Sequence, residues 1–255
     1  MSDSVASAPA TGFMGVRLHI NVDHVATLRN ARGTPYPDPT AAALECLNAG
    51  ADGITAHLRE DRRHIVDADI ESLRAAVLAA RRTFNLEMAA TDEMVGLALR
   101  VRPDVCTIVP ERRQERTTEG GLDVVGGATD LARRVRELAS AKIKVSLFVA
   151  ADARQIDESR AIGAAQVELH TGEYAEGHPG ELAKLTEGAV RALGHGLEVA
   201  AGHGLTRGNV GAIAAIPGIV ELNIGHAVVS DAVFLGMRGA VRAYRSAMGT
   251  QGARG

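Results

Sequence analysis

Leu197-Glu198-Val199-Ala200-Ala201-Gly202-His203-Gly204-Leu205-Thr206 opens the stretch that decides the fold, and Ile219-Val220-Glu221-Leu222-Asn223-Ile224-Gly225-His226 closes it. Each half is a short apolar run that ends on a histidine beside glycine. A brief helix-like segment lies between them. Glycine lets backbone N–H groups approach a ligand and tolerates positive φ. The amino terminus of a following helix adds partial positive charge. Two such units in succession are the construction of a phosphate site on the last two units of a β/α barrel.

The preceding chain supplies the other units. Apolar runs at 17–22, 53–56, 84–88, 105–109, 145–149 and 166–169 read as strands. Amphipathic segments separate them. Asp38 with Pro39 at the first helical position starts one helix, and Thr91 with Asp92 and Glu93 starts another. Asn21 to His24 closes the first strand and a polar loop with Arg29, Arg32 and Gly33 follows; Pro110 to Gly127 reads as a long polar loop, a length usually reserved for functional segments. The final helix carries Val229, Val233, Met237, Val241 and Tyr244 on one side. Eight alternating strand–helix pairs argue for a parallel sheet with helical crossovers. The absence of a G-x-G-x-x-G after the first strand disfavours a dinucleotide fold. The expectation is an α/β chain forming one (β/α)8 TIM barrel over residues 15–250, behind a disordered or loosely ordered tail, residues 1–14.

The 255 residues match one such barrel, and a formal net charge of −3 gives no reason to expect nucleic acid or an anionic membrane as partner. No apolar run nears the ~20 residues of a membrane span. The first residues lack the basic start and apolar centre of a signal peptide. Cys46 and Cys106, in apolar contexts, do not make a disulfide framework, which points to a reducing cytoplasm.

In barrels of this kind the chemistry gathers at the carboxyl ends of the strands. There stand Asn21, Asp23, His24, His57, Arg59, Glu87, Glu168, His170, His203, Asn223 and His226. Six of the nine histidines, including His64, fall at or just after a strand end. Imidazoles titrate near neutrality, and a carboxyl such as Glu87 in an apolar strand can be raised into the same range. That set suits an enzyme moving several protons on phosphorylated carbonyl compounds. Each residue also has a plain alternative. A strand-end histidine can be structural, Asp23 and Asn21 can cap a turn, and Arg59 to His64 can be a solvated charged loop. Zinc on His57, Glu87, His203 and His226 is a further alternative, although the chain has no H-E-x-x-H. A Schiff-base aldolase needs a lysine at the mouth; Lys142 and Lys144 fall at the other end and Lys184 on a helix. A lyase or isomerase for phosphosugars, or a non-catalytic phosphometabolite binder, remains open on these residues.

The segments 21–29 (NVDHVATLR), 55–65 (TAHLREDRRHI), 85–88 (NLEM), 109–123, 170–172 (HTG), 201–206 (AGHGLT) and 221–226 (ELNIGH) resemble those of the pyridoxine 5'-phosphate synthase family. The resemblance spans roughly residues 17–245 and includes loops as well as single spaced residues. It implies a cytoplasmic enzyme of vitamin B6 synthesis. Such an enzyme condenses 1-deoxy-D-xylulose 5-phosphate with 3-amino-2-oxopropyl phosphate to pyridoxine 5'-phosphate, phosphate and water. It implies no metal, no organic cofactor and a homo-oligomer, an octamer in the family. By the same resemblance His57 and Glu87 are proton acceptors, His203 is a proton donor and Glu168 stabilises a transition state. Asp23, His24, Arg59, His64 and Thr117 match positions for the deoxyxylulose phosphate. Asn21, Arg32, Gly204, Gly225 and His226 match positions for the aminoketone phosphate. Ala200 departs from the pattern, standing where the family often has asparagine.

Overall fold

A computed structural model describes residues 15–112, 115 and 120–249; the expected tail and Thr117 lie outside the described residues. Eight parallel strands close into a barrel: β1 (Arg17–Asn21), β2 (Gly53–His57), β3 (Thr83–Met88), β4 (Val105–Ile108), β5 (Lys144–Val149), β6 (Gln166–His170), β7 (Glu198–Gly202) and β8 (Ile219–Ile224). Closure runs through β8 and β1, with Arg17 opposite Glu221 and Ile20 opposite Ile224. The expected TIM barrel is therefore present.

Strand residues alternate between two environments. Leu18 and Ile20, Ile54 and Ala56, Phe84, Leu86 and Met88, Val145, Leu147 and Val149 are fully or almost fully buried in the main apolar core. Their neighbours of opposite parity are polar yet buried: His19, Thr55, Asn85, Thr107, Ser146, Gln166, Glu168, Glu221 and Asn223. Side-chain hydrogen bonds show where these point. Thr107 donates to Asn85 (2.9 Å), Thr55 to Asn223 (2.8 Å), and Asn223 to Glu168 (2.8 Å). Since β6 and β8 are not neighbours, the last bond crosses the barrel interior. Small side chains on the intervening β7 make room for it. A Cβ on Gly202 would lie 2.2 Å from Glu168 Oε1. The lumen of this barrel is thus polar, and the apolar core lies between strands and helices.

The helices are α1 (Asp23–Asn30), α2 (Pro39–Asn48), α3 (Asp67–Ala79), α4 (Asp92–Val101), α5 (Val124–Ser140), α6 (Ala153–Ala161), α7 (Gly172–Ala175), α8 (Glu181–Gly194), α9 (Val210–Ala214) and α10 (His226–Ala247). Asp38 caps α2 by accepting from the N–H groups of Thr40 (2.9 Å) and Ala41 (3.3 Å), and Thr91 caps α4 at Met94 N–H (3.4 Å). Three departures from expectation have local causes. Residues 23–30 form a helix instead of a loop, because Val25 and Ala26 are buried and Arg29 forks onto Asp69 at 2.6 and 2.8 Å. Gly126 and Gly127 fall inside α5, whose cap is Asp123 accepting from Gly126 N–H at 3.0 Å. α10 breaks at Gly236 (φ 68°), so its apolar stripe does not run through: Val229, Val241 and Tyr244 are buried but Val233 is 70% exposed.

Candidate active site

The carboxyl ends of the strands surround a cavity of about 790 Å³. It is lined by all six strand-end histidines: His24, His57, His64, His170, His203 and His226. Asn21, Asp23, Arg59, Glu87, Glu168, Gly204 and Gly225 line it too. Arg32 does not; it is exposed beyond the end of α1. No lysine lines the cavity among the described residues, and Lys144 at the far end of β5 pairs with Glu198 at 3.0 Å.

Strand register fixes the first cluster. His57 ends β2 directly opposite Glu87 on β3. Asp23, at the start of α1, accepts the His57 backbone N–H at 2.8 Å and the Asn21 amide at 2.8 Å. The same Asn21 amide reaches Glu87 at 3.5 Å. Burial pushes the Asp23 carboxyl up to about 6, against the opposing pull of His57, Asn21 and Arg59. Glu87 is raised well above the usual carboxylate range, first by burial and then by Glu168 and Asp23. Glu168, 3% exposed, is pushed up to about 8 by burial and by Glu221, although Asn223 donates to it. Burial and mutual repulsion thus work against ionising all three carboxyls of this mouth together.

The second cluster is built on β6 and β7. His203 sits at φ 85°, a left-handed conformation uncommon outside glycine, and Gly204 follows it at φ 74°. Thr171 holds this turn, donating its hydroxyl to the carbonyls of Gly202 (2.7 Å) and His203 (2.6 Å). The His203 ring lies 4.9 Å from that of His170, which Phe148 flanks edge-on at 5.2 Å. A Cβ on Gly172 would meet the His170 ring at 2.5 Å, so this packing requires glycine there. Opposite, Gly225 precedes α10, and His226 at its amino terminus packs edge-on against His24 at 5.1 Å. Burial first, then the neighbouring His57 and Arg59, lower His64 to about 4, keeping it neutral, and its Nδ1 accepts the Ile65 N–H at 2.9 Å.

Ligand atoms of Asp23, His57 and Glu87 all lie within 4.8 Å of one another, close enough to hold a cation. The set His57, Glu87, His203 and His226 does not form such a cluster among the described residues. Sequence reasoning passed over Glu111. It follows β4 by three residues' length of chain, beside Pro110, and its carboxylate lies 2.9 Å from His57 Nε2. An acidic residue at a strand end was the available signal, hidden among the arginines that follow it.

Residues 18–250 match the family model described as pyridoxal phosphate biosynthesis protein PdxJ. The chain is 55% identical to a pyridoxine 5'-phosphate synthase of Gluconobacter oxydans, covering 91% of this chain and 98% of that one. It is 52% identical to a protein of the same name from Rhodospirillum rubrum, over 91% and 94%. Among solved structures it resembles 3-keto-L-gulonate-6-phosphate decarboxylase of Vibrio cholerae, with a TM-score of 0.64 over 93% and 99% of the chains. At 13% identity that likeness concerns the barrel alone. The polar mouth, the histidine-bearing glycine turns and the match over nearly the whole barrel agree: the chain belongs to the PdxJ family of pyridoxal phosphate biosynthesis proteins.

Proposed function

We propose that this chain condenses 1-deoxy-D-xylulose 5-phosphate with 3-amino-2-oxopropyl phosphate, giving pyridoxine 5'-phosphate, phosphate and water. One observation carries the reading beyond kinship. Glu87, Glu168 and Asp23, all raised, share a cavity with His57 and His203. Joining an amine to a ketone expels water and needs a proton for the departing hydroxyl; His203 supplies it. Proton removal from carbon beside the resulting imine needs a base, the task of Glu87 and His57. Glu168 holds a neutral carboxyl against developing negative charge. Loss of phosphate and of further water then drives ring closure and aromatisation.

Two anions must be held. Gly204, Gly225 and His226, with Asn21, form the aminoketone phosphate side, where α10 presents its amino terminus. Asp23, His24, Arg59 and His64 form the deoxyxylulose phosphate side; Thr117, outside the described residues, belongs to the same set by kinship. Arg32 belongs to the aminoketone set by kinship although it stands outside this protomer's cavity.

The chain works in the cytoplasm as a homo-oligomer, an octamer on the family's pattern. No helix among the described residues is long and apolar enough to cross a membrane. Leu28 of α1, Leu44 of α2 and Val233, Phe234 and Leu235 of α10 lie on three mutually packed helices and are 41–89% exposed. Exposed apolar side chains on neighbouring helices favour association. Mixing the purified protein with both phosphorylated compounds tests the activity. Appearance of pyridinol absorbance with one phosphate released per ring supports it. Cleavage or isomerisation of either compound alone points instead to a phosphosugar lyase or isomerase.

A further inference from the structure

Glu111 lies on the connection just after β4 and is not part of the catalytic set above. Its side chain is only 4% exposed. One oxygen, Oε1, is 2.9 Å from His57 Nε2. The other, Oε2, accepts the Glu60 backbone N–H at 3.1 Å and lies 3.8 Å from the Arg59 guanidinium. Its own backbone is held in turn: Glu115 accepts the N–H groups of Glu111 (2.9 Å) and Arg112 (3.0 Å). Arg112 pairs with Glu60 at 3.0 Å, tying the same two connections together again. On the other side, Asp23 holds the His57 backbone N–H. His57 is thus fixed at its main chain from the start of α1 and at its ring from the connection after β4.

An ionised carboxylate only accepts hydrogen bonds. Burial opposes the charge on Glu111, but the hydrogen bond to the His57 ring and its electrostatic attraction, then the Glu60 N–H and Arg59, outweigh it and hold the carboxyl below the usual carboxylate range. His57 Nε2 must then be the donor. In a neutral imidazole that leaves Nδ1 as the basic nitrogen.

We propose that Glu111 is a positioning residue: it fixes His57 as the Nε2–H tautomer, so that Nδ1 takes the substrate proton. This rests on the assignment of His57 as a proton acceptor.

The test uses the full-length enzyme and two readouts. Long-range proton–nitrogen correlation spectra of substrate-free enzyme carrying nitrogen-15 histidine report the tautomer, with His57→Gln identifying the signal. The wild type should show Nε2–H; Glu111→Gln should show a mixture. In turnover, Glu111→Gln should lower kcat about 10–100-fold, the range for partners that orient a histidine, with both KM values within about threefold. Glu111→Asp should recover part of the loss. On a His57→Ala background, Glu111→Gln should cost no more than about twofold further. An Nδ1–H tautomer in the wild type overturns the proposal, as does an unchanged kcat in Glu111→Gln or losses that multiply in the double variant. If the wild type makes no pyridoxine 5'-phosphate, the functional assignment fails, while the spectra still decide whether Glu111 sets the ring.

Discussion

Glu168→Gln should make the protein more stable, and by an amount that depends on pH. Burial and Glu221 push the Glu168 carboxyl from an ordinary 4.5 up to about 8. In the unfolded chain the same group ionises near 4.5, so the folded state holds a proton that the unfolded state has released. A group raised in this way contributes stability that is full below the unfolded value and is lost as pH rises through the folded one. Each pH unit between the two is worth about 1.4 kcal/mol, so at pH 7 the native state has forfeited about 3 kcal/mol. Glutamine has no such proton to lose, and its amide oxygen can still accept from Asn223. The second amide group needs a partner in the lumen, which reduces the net gain to about 1–3 kcal/mol. For a chain of this size that is roughly 3–9 °C in Tm. Melting curves at fixed protein concentration, from pH 4.5 to 9, measure it. The variant should trail the wild type slightly near pH 4.5, where only the amide cost counts, overtake it as pH rises towards about 8, and hold a constant lead above that. Turnover should fall while Tm rises, since the carboxyl sits in the reaction cavity. A lead that is absent at pH 8, or equal at every pH, would refute the idea that burial keeps this carboxyl protonated.

Gly202→Ala places a methyl 2.2 Å from Glu168 Oε1 and should break the Glu168–Asn223 bond, lowering both Tm and turnover; thermal melts and assays of the one variant check both. Phe234→Asp, at a side chain 89% exposed, should reduce the native mass measured by sedimentation while leaving far-ultraviolet circular dichroism unchanged. Asp38→Ala removes the α2 cap and should cost about 1 kcal/mol, read as a Tm drop of roughly 2–4 °C with activity retained.

Much of this molecule is legible in its sequence because the relevant signals are local. The turn Gly202-His203-Gly204 and the pair Gly225-His226 announce strand ends at the cavity mouth, and Asp38-Pro39 and Thr91 announce helix starts that the structure places as expected. The polar lumen was also encoded, as alternation. Arg17-Leu18-His19-Ile20-Asn21 and Thr83-Phe84-Asn85-Leu86-Glu87 change character every residue, whereas strands of an ordinary barrel are apolar on both faces. What escaped notice depended on contacts between distant residues. α1 has few apolar positions and is secured by Arg29 on Asp69. The break in α10 is a backbone choice at Gly236 that periodicity cannot register. Glu111 acquires meaning only when the barrel brings the β4 end beside His57.

The central claim is that acids and imidazoles from separate strands act together on two phosphorylated substrates. Turnover of the wild type against Glu87→Gln and His203→Ala, with both substrates present, tests it most directly. The wild type should form pyridoxine 5'-phosphate and phosphate in equal amounts, and each folded variant should form them at least about 100-fold more slowly, the scale of a lost general acid or base. Near-wild-type turnover by either variant would contradict it.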